Sequence, residues 1–398
     1  MRPWCIVRLI TSRNRIITAP WQSQDSPITF CDHKSVRTNM KKGRCPSLCS
    51  VAISLMAAIS GLTVAAQPPA SIPSGSGTKL VDIGGQRFFL DCRGVGSPAV
   101  LLEAGAGDLS LVWSLVQDRA ASFTRVCSYD RGGYARSDPG NRPRSYEQLA
   151  LELRTALDRS TVRPPYVLVG QSYGGLVVRG FAKRYPRDVA GMVLVDAVHE
   201  DESIVYGGQP HRLRDQARGR VFPAPRISLD TEFLRLARDS SLAPDAALPA
   251  PLDRLPAEAQ RVWRAAQRQP LYRMAWAAEM DWSPEELARF HEERVIRRAS
   301  LGDIPLVVLA RTNGDYDRGM SISADSLERE RRRLAADLAA LSTSGRLAFA
   351  RASGHNIHIE DPGLVVTSIQ SVMQQARTRA GKRTTGGESA VRGRSRLD

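Results

Sequence analysis

The segment Gly170-Gln171-Ser172-Tyr173-Gly174 constrains this chain more than any other. The apolar run Tyr166-Val167-Leu168-Val169 precedes it, and Gly175-Leu176-Val177-Val178-Arg179-Gly180-Phe181-Ala182 follows. That pattern predicts a strand, a sharp turn and a helix. A serine on such a turn sits in a strained backbone conformation, with its hydroxyl thrust out above a sheet. The bracketing glycines suit the turn because strand and helix backbones approach too closely for a β-carbon. Ser172 is therefore a candidate nucleophile, with an ordinary tight turn as the alternative. A catalytic reading requires the rest of the chain to supply a base, an acid and donors for an oxyanion.

The chain has 398 residues, 42% hydrophobic and 24% charged, as in a folded globular protein. Its net charge of +15 looks like a nucleic-acid signal until it is located. Residues 1–66 carry +7 and residues 377–398 carry +5, which leaves +3 for everything between. Basic ends read as solvated tails, and no nucleic-acid motif accompanies them.

Met40-Lys41-Lys42-Gly43-Arg44 opens a second informative stretch. An uncharged apolar run follows over residues 48–65 and ends at the small-x-small pattern Val64-Ala65-Ala66. This is the layout of a secretory signal peptide, with Met40 as the expected true start. Cleavage near Ala66 predicts a periplasmic or secreted protein. The alternative is a retained membrane anchor, since the run approaches the length that spans a bilayer. Of six cysteines, only Cys92 and Cys127 lie beyond the expected cleavage site.

Residues 67–77 are rich in Pro, Ser and Gly and read as a linker. Beyond them apolar runs alternate with helical spacing. A hairpin is expected around Gly84-Gly85, then strands over residues 99–104, 124–130, 166–169, 189–196, 304–310 and 346–350. Helices are expected over residues 111–121, 146–157, 323–341 and 362–377. Buried strands separated by helices imply a mostly parallel sheet of eight strands with helices on both faces. Residues 198–300 are too long for a simple crossover. They are rich in Arg and Ala, carry Trp263, Tyr272, Trp276, Trp282 and Phe290, and read as a helical lid. The expected organisation is a core of residues 78–197 and 301–378, with a basic disordered tail over residues 379–398.

With these features the chain resembles the α/β-hydrolase superfamily over roughly residues 78–378. Besides the serine turn, Tyr129-Asp130-Arg131-Gly132-Gly133-Tyr134-Ala135-Arg136-Ser137-Asp138 is similar to the family's loop after its fourth strand. Ser353-Gly354-His355 through Glu360-Asp361-Pro362 is similar to its histidine loop and last helix.

The resemblance implies a serine hydrolase that acts on a small-molecule acyl substrate, with a carboxylic ester first among the options. A non-catalytic binding protein, an amidase or peptidase, and a thioesterase stay open. It implies no metal or organic cofactor, and a membrane partner only if residues 48–65 are retained. Serine needs a base, and of six histidines only His355 and His358 follow the last strand. His355, directly after Gly354, is the expected base, with His358 as the alternative. An acid must orient it. Asp196 stands after the sixth strand, and Asp315 and Asp317 stand after the seventh. Asp196 is preferred because a strand end fixes its backbone. The expected oxyanion donors are the Tyr173 N–H and one from Gly105 or Ala106. In this fold the second and fourth strands are neighbours, so Cys92 and Cys127 are expected to form a disulfide, against two buried thiols.

Overall fold

The computed structural model describes residues 77–206, 209–238, 248–298, 300–314 and 323–394. The expected leader, its cleavage site and most of the linker lie outside the described residues. So do Asp315 and Asp317. Among the described residues no helix is long and apolar enough to cross a membrane.

The chain opens with the hairpin β1 (Thr78–Asp82) and β2 (Arg87–Arg93), paired antiparallel. Asp82 Oδ1 closes its turn by accepting the Gly84 and Gly85 N–H groups at 2.7 Å each. Then come β3 (Ala99–Glu103), α1 (Ser114–Ala120) and β4 (Val126–Asp130). Next are α2 (Tyr146–Asp158), β5 (Tyr166–Gln171), α3 (Gly174–Arg184) and β6 (Val189–Val195). An insertion follows with the small hairpin β7 (Ser203–Tyr206) and β8 (Gln209–Arg212). It continues through α4 (Thr231–Arg238), α5 (Ala257–Gln267) and α6 (Pro270–His291). The core resumes with β9 (Leu306–Arg311), α7 (Ala324–Ala339) and β10 (Gly345–Ala350), then α8 (Ile357–Glu360) and α9 (Pro362–Arg394).

Eight strands form one sheet in the order β1-β2-β4-β3-β5-β6-β9-β10. Only the pairs made by β2 are antiparallel. The central strands alternate their side chains between two apolar layers, as a period of two requires. Val100, Leu102, Val167, Val169, Val193 and Val195 face α1 and α9, packing with Trp113, Val116 and Ile369. Leu101, Leu168 and Leu194 face the other way, onto Leu153, Phe181 and Leu338 of α2, α3 and α7.

From β3 the chain passes to β4 on one side, and β5 then returns to the other side of β3. Such a reversal opens a crevice beyond the carboxyl ends of β3 and β5, the usual ligand site of open α/β sheets. The serine turn and the loop after Glu103 lie at this crevice.

Two differences from the sequence reading stand out. The insertion begins with a hairpin, a single 3-10 turn (Leu213–Gln216) and an irregular stretch over residues 217–230, so it is α-helical only from residue 231 onward. Gln209-Pro210 and Pro223-Ala224-Pro225 are poor helix material, because proline lacks the N–H and restrains its predecessor. Second, α9 does not stop near residue 377 but continues to Arg394 through most of the expected tail. No proline interrupts that stretch, and its base is held to the core: Arg377 donates to the Ser97 carbonyl at 3.0 Å, and Arg379 pairs with Asp303.

Cys92 and Cys127 stand opposite each other in the β2–β4 ladder, and their Sγ atoms are bonded. The bond closes a loop of sequence separation 35, worth about 4 kcal/mol in the chain-entropy account. Replacing both cysteines by alanine is therefore expected to lower the unfolding free energy by about 3–4 kcal/mol. Denaturant titration measures that loss. An intact mass unaltered by reductant in protein from an oxidising compartment would show that the bond does not form.

Candidate active site

Ser172 has φ +51°, the left-handed conformation that only a constrained turn imposes on a side chain other than glycine. The turn is over-determined. Ser172 N donates to Val195 O at 3.2 Å, and Ser172 O accepts from Gly175 N at 2.9 Å and Val198 N at 3.1 Å. A β-carbon on Gly174 would lie 2.6 Å from Glu103 O and 2.7 Å from Ala104 O, so that position admits only glycine. Because the Ser172 carbonyl is pinned, the N–H of the same planar peptide, that of Tyr173, points the opposite way.

Asp196 directly follows β6, also with positive φ, at +41°. Its N–H donates to Leu309 O at 2.8 Å, and its Oδ1 accepts the Arg311 N–H at 3.1 Å. Its Oδ2 lies 2.7 Å from His355 Nδ1. Burial by itself would raise the Asp196 pKa. The His355 hydrogen bond and the charges of His355 and Arg311 outweigh burial and hold it below the usual carboxylate range. The histidine loop is tied down as well. Glu360 accepts the Gly354 N–H, and Ser353 O accepts the N–H of Asn313 at 3.0 Å.

His358 takes no part in this cluster. It is fully buried against Trp113, with ring centroids 4.7 Å apart. Burial pushes its pKa down to about 3, so it stays neutral.

The loop after β3 reaches the serine. A β-carbon on Gly105 would meet Gln171 Oε1 at 2.4 Å and Ser172 Cβ at 3.3 Å. Its carbonyls are fixed by Arg131, which donates to Ala104 O and Gly105 O at 2.8 Å each. Since each peptide is planar, the Gly105 and Ala106 N–H groups point away from Arg131. Asp108 lies on the same loop, and burial pushes its carboxyl up to about 6.

Three features escaped the sequence reading. The first is Gln171. Its Nε2 lies 3.2 Å from His355 Nε2 and donates to the His355 carbonyl at 3.3 Å, while its Oε1 is buried without a partner. With the Nδ1 proton donated to Asp196, Nε2 is an acceptor, and the glutamine amide fills it. Among the described residues Gln171, not Ser172, is hydrogen-bonded to that nitrogen.

The second is a buried ion cluster. The guanidinium of Arg131 bonds Glu103 at 2.7 Å and both carboxylate oxygens of Glu279 at 2.8 and 3.0 Å. Tyr134 also donates to Glu279, at 2.8 Å. Burial pushes Glu103 up to about 7, against the pull of Arg131. The third is Glu286, which accepts the Tyr146 N–H and, at 3.2 Å, the Tyr173 hydroxyl. Burial pushes its pKa up to about 8.

The insertion aromatics pack rather than stand free. Trp263 meets Tyr272 edge-on at 5.8 Å, Phe290 stacks on Tyr146 at 4.8 Å, and Trp282 on Phe222 at 5.0 Å.

Among the described residues no His, Cys, Asp or Glu group could hold a metal ion.

A family model described as alpha/beta hydrolase fold matches residues 98–362. A Gibberella zeae protein named AB hydrolase superfamily protein is 24% identical over 316 residues, covering 73% of this chain and 92% of its own. The probable transporter efuK of Hormonema carpetanum is 27% identical over 311 residues. That match covers 74% of this chain but only 42% of the Hormonema protein. Among solved structures, a Pseudomonas aeruginosa protein provisionally named an epoxide hydrolase superposes with a TM-score of 0.52 at 16% identity. It covers 76% of this chain and 96% of its own, a likeness of fold alone.

Proposed function

The chain belongs to the alpha/beta-hydrolase family and is a hydrolase, and within that family we propose that it cleaves a carboxylic ester of a small molecule through an acyl-enzyme. Ser172 is the nucleophile, His355 the general base, and Asp196 the acid that orients and stabilises the imidazolium. The observation that carries this reading is the 2.7 Å bond between His355 Nδ1 and Asp196 Oδ2, with the Nε2 of the same ring 3.2 Å from the amide of Gln171, the residue before the strained Ser172.

The chemistry runs in two halves. Ser172 Oγ attacks the acyl carbon while its proton passes to His355 Nε2. The carbonyl electron pair moves onto oxygen, where the Tyr173 N–H and the N–H of Gly105 or Ala106 receive it. Collapse of the tetrahedral centre breaks the bond to the alcohol oxygen, which leaves with the proton from His355. Water then attacks the acyl-serine by the same route in reverse, and the carboxylic acid departs. For the first step the Gln171 amide must yield the Nε2 lone pair, a rearrangement of the kind that accompanies substrate entry in many resting active sites.

Epoxide hydrolases of this superfamily use a carboxylate nucleophile at the serine turn, and this chain has Ser172 there. Ser172 therefore favours acyl transfer over epoxide opening, despite the likeness of fold. The occupied Nε2 favours one other reading, a protein that binds a small molecule without turning it over.

Covalent labelling by a fluorophosphonate separates the two. The folded wild-type chain is expected to label at Ser172, and Ser172→Ala to lose both labelling and nitrophenyl ester hydrolysis. A folded chain that never labels would sink the enzymatic reading. Varying the acyl length of the nitrophenyl ester then identifies the acyl group preferred.

We also place the mature protein outside the cytoplasm. The leader-like residues 40–66 and the Cys92–Cys127 bond support an oxidising compartment. N-terminal sequencing of the natural protein checks this, with a start near Gln67 expected.

A further inference from the structure

Helix α6 carries Tyr272, Glu279 and Glu286 at intervals of one heptad. That spacing sets them along one face of the helix, with a drift of only about 20° per heptad. All three are buried, and each bonds a residue of the core. Tyr272 donates to the Gly107 carbonyl at 2.6 Å. Glu279 takes two bonds from Arg131, whose other donors hold the Ala104 and Gly105 carbonyls. Glu286 accepts the hydroxyl of Tyr173. The Arg131 guanidinium also lies 5.9 Å from the Tyr173 ring centroid, so the cation that bonds the loop after β3 also faces the side chain next to Ser172.

We propose that α6 is the fixed outer wall of the oxyanion site, with Arg131, Glu279 and Glu286 as positioning residues for its backbone donors. This rests on the serine-hydrolase reading above. The reasoning is geometric. An oxyanion hole works because its N–H groups are aimed before charge develops. Aiming an N–H means fixing the carbonyl of the same peptide. On the loop after β3 the carbonyls are fixed by Arg131, and Arg131 is fixed by Glu279. On the serine turn the Ser172 carbonyl is fixed by the Gly175 and Val198 N–H groups, and the Tyr173 side chain is held in place through its hydroxyl by Glu286.

The packing agrees. A β-carbon on Gly133 would meet Ala275 Cβ of α6 at 2.7 Å, so helix and core loop are in contact with no room between them. Lifting α6 away would strand Arg131 without one of its two buried carboxylates. Docked in this way, α6 keeps both buried carboxylates on Arg131.

The experiment compares wild type with Tyr173→Phe, Glu286→Gln, Glu279→Gln and Arg131→Lys. It reads steady-state ester hydrolysis, and affinity for a trifluoromethyl ketone, which forms an oxyanion on Ser172. It also reads affinity for the matching alcohol, which does not. The expected result is a fall in kcat of about 10- to 100-fold with KM changed less than about threefold. Ketone affinity falls in parallel with kcat/KM, while alcohol affinity stays as in wild type. A merely structural role would not separate the two ligands. Tyr173→Phe deletes one hydroxyl only, so it keeps the test valid if a charge variant fails to fold. Folded variants that retain ketone affinity and kcat would overturn the positioning role while leaving the hydrolase reading intact. A wild-type chain that neither labels nor turns over ester would overturn both.

Discussion

Asp196→Asn is expected to lower kcat for ester hydrolysis by about four orders of magnitude with little change in KM. Asp196 Oδ2 receives the His355 Nδ1 proton at 2.7 Å, while Oδ1 is taken by the Arg311 N–H. An asparagine in this position keeps the shape but not the chemistry. Its carbonyl oxygen can satisfy only one of those two donors, and its NH2 then faces the other. If the NH2 faces His355, the imidazole must present Nδ1 as an acceptor and carry its proton on Nε2. That is the wrong tautomer for accepting a proton from Ser172. If the oxygen faces His355, the tautomer survives, but the NH2 is pressed against the Arg311 N–H, and the imidazolium loses its counter-charge.

Stability responds to the same residue. The folded pKa of Asp196 lies below its ordinary value, so its contribution is present above the unfolded carboxylate pKa. It is lost as pH falls through the folded one. The Asn variant is therefore expected to lose stability relative to wild type at neutral pH and to approach it in acid. Full activity in a folded Asp196→Asn protein would remove Asp196 from the mechanism.

Arg131→Met is expected to destabilise the fold by about 3–5 kcal/mol at neutral pH. Arg131 is buried, and all its nitrogens are bonded within the protein: to Glu103, to Glu279 twice, and to the Ala104 and Gly105 carbonyls. Methionine replaces much of the apolar stem and none of the donors. Two buried carboxyls are left to each other, and Glu103, already pushed up to about 7 by burial, loses the Arg131 charge that opposes that rise.

The sign of the pH dependence follows. Between the ordinary carboxylate pKa and the raised folded value of Glu103, the folded state holds a proton that the unfolded state has released. Stability then falls as pH rises. The deficit relative to wild type should be small near pH 5 and grow toward pH 8. Adding Glu103→Gln and Glu279→Gln to Arg131→Met removes the buried charges and should recover part of the loss. Urea titrations at the two pH values decide it. A loss under about 1 kcal/mol that does not vary with pH would mean that water reaches the carboxyls in place of the guanidinium.

Much of the fold was legible because it depends on local pattern. Val167, Leu168 and Val169 read as a buried strand, and the structure buries all three, alternating between its two apolar layers. The serine turn was legible for a similar reason: glycines at residues 170 and 174 mark a place where backbones meet. Asp196 and His355 could be nominated from their order after strands, but their pairing could not be read off, because 159 residues separate them.

The run of α9 to Arg394 was missed because composition there suggests a tail, and the early insertion was misread because Arg and Ala dominate its average. Gln171 hid in the variable position of the serine motif. The heptad of Tyr272, Glu279 and Glu286 was visible as spacing. Nothing local distinguishes a carboxylate facing solvent on a helix from one facing a buried arginine.

The division has a physical basis. Short-range order, meaning strand, turn, helix and the glycines that allow them, is set by backbone sterics and hydrophobic period, and both are written into neighbouring residues. By itself the sequence determined that Ser172 sits on a strained turn at a strand end, within an eight-stranded sheet. The tertiary structure alone decided that Asp196 faces His355, that Gln171 holds the nitrogen next to Ser172, and that α6 grips the loop beside it. Those contacts join residues more than a hundred positions apart, and a buried charge takes whichever partner the packed fold brings within reach.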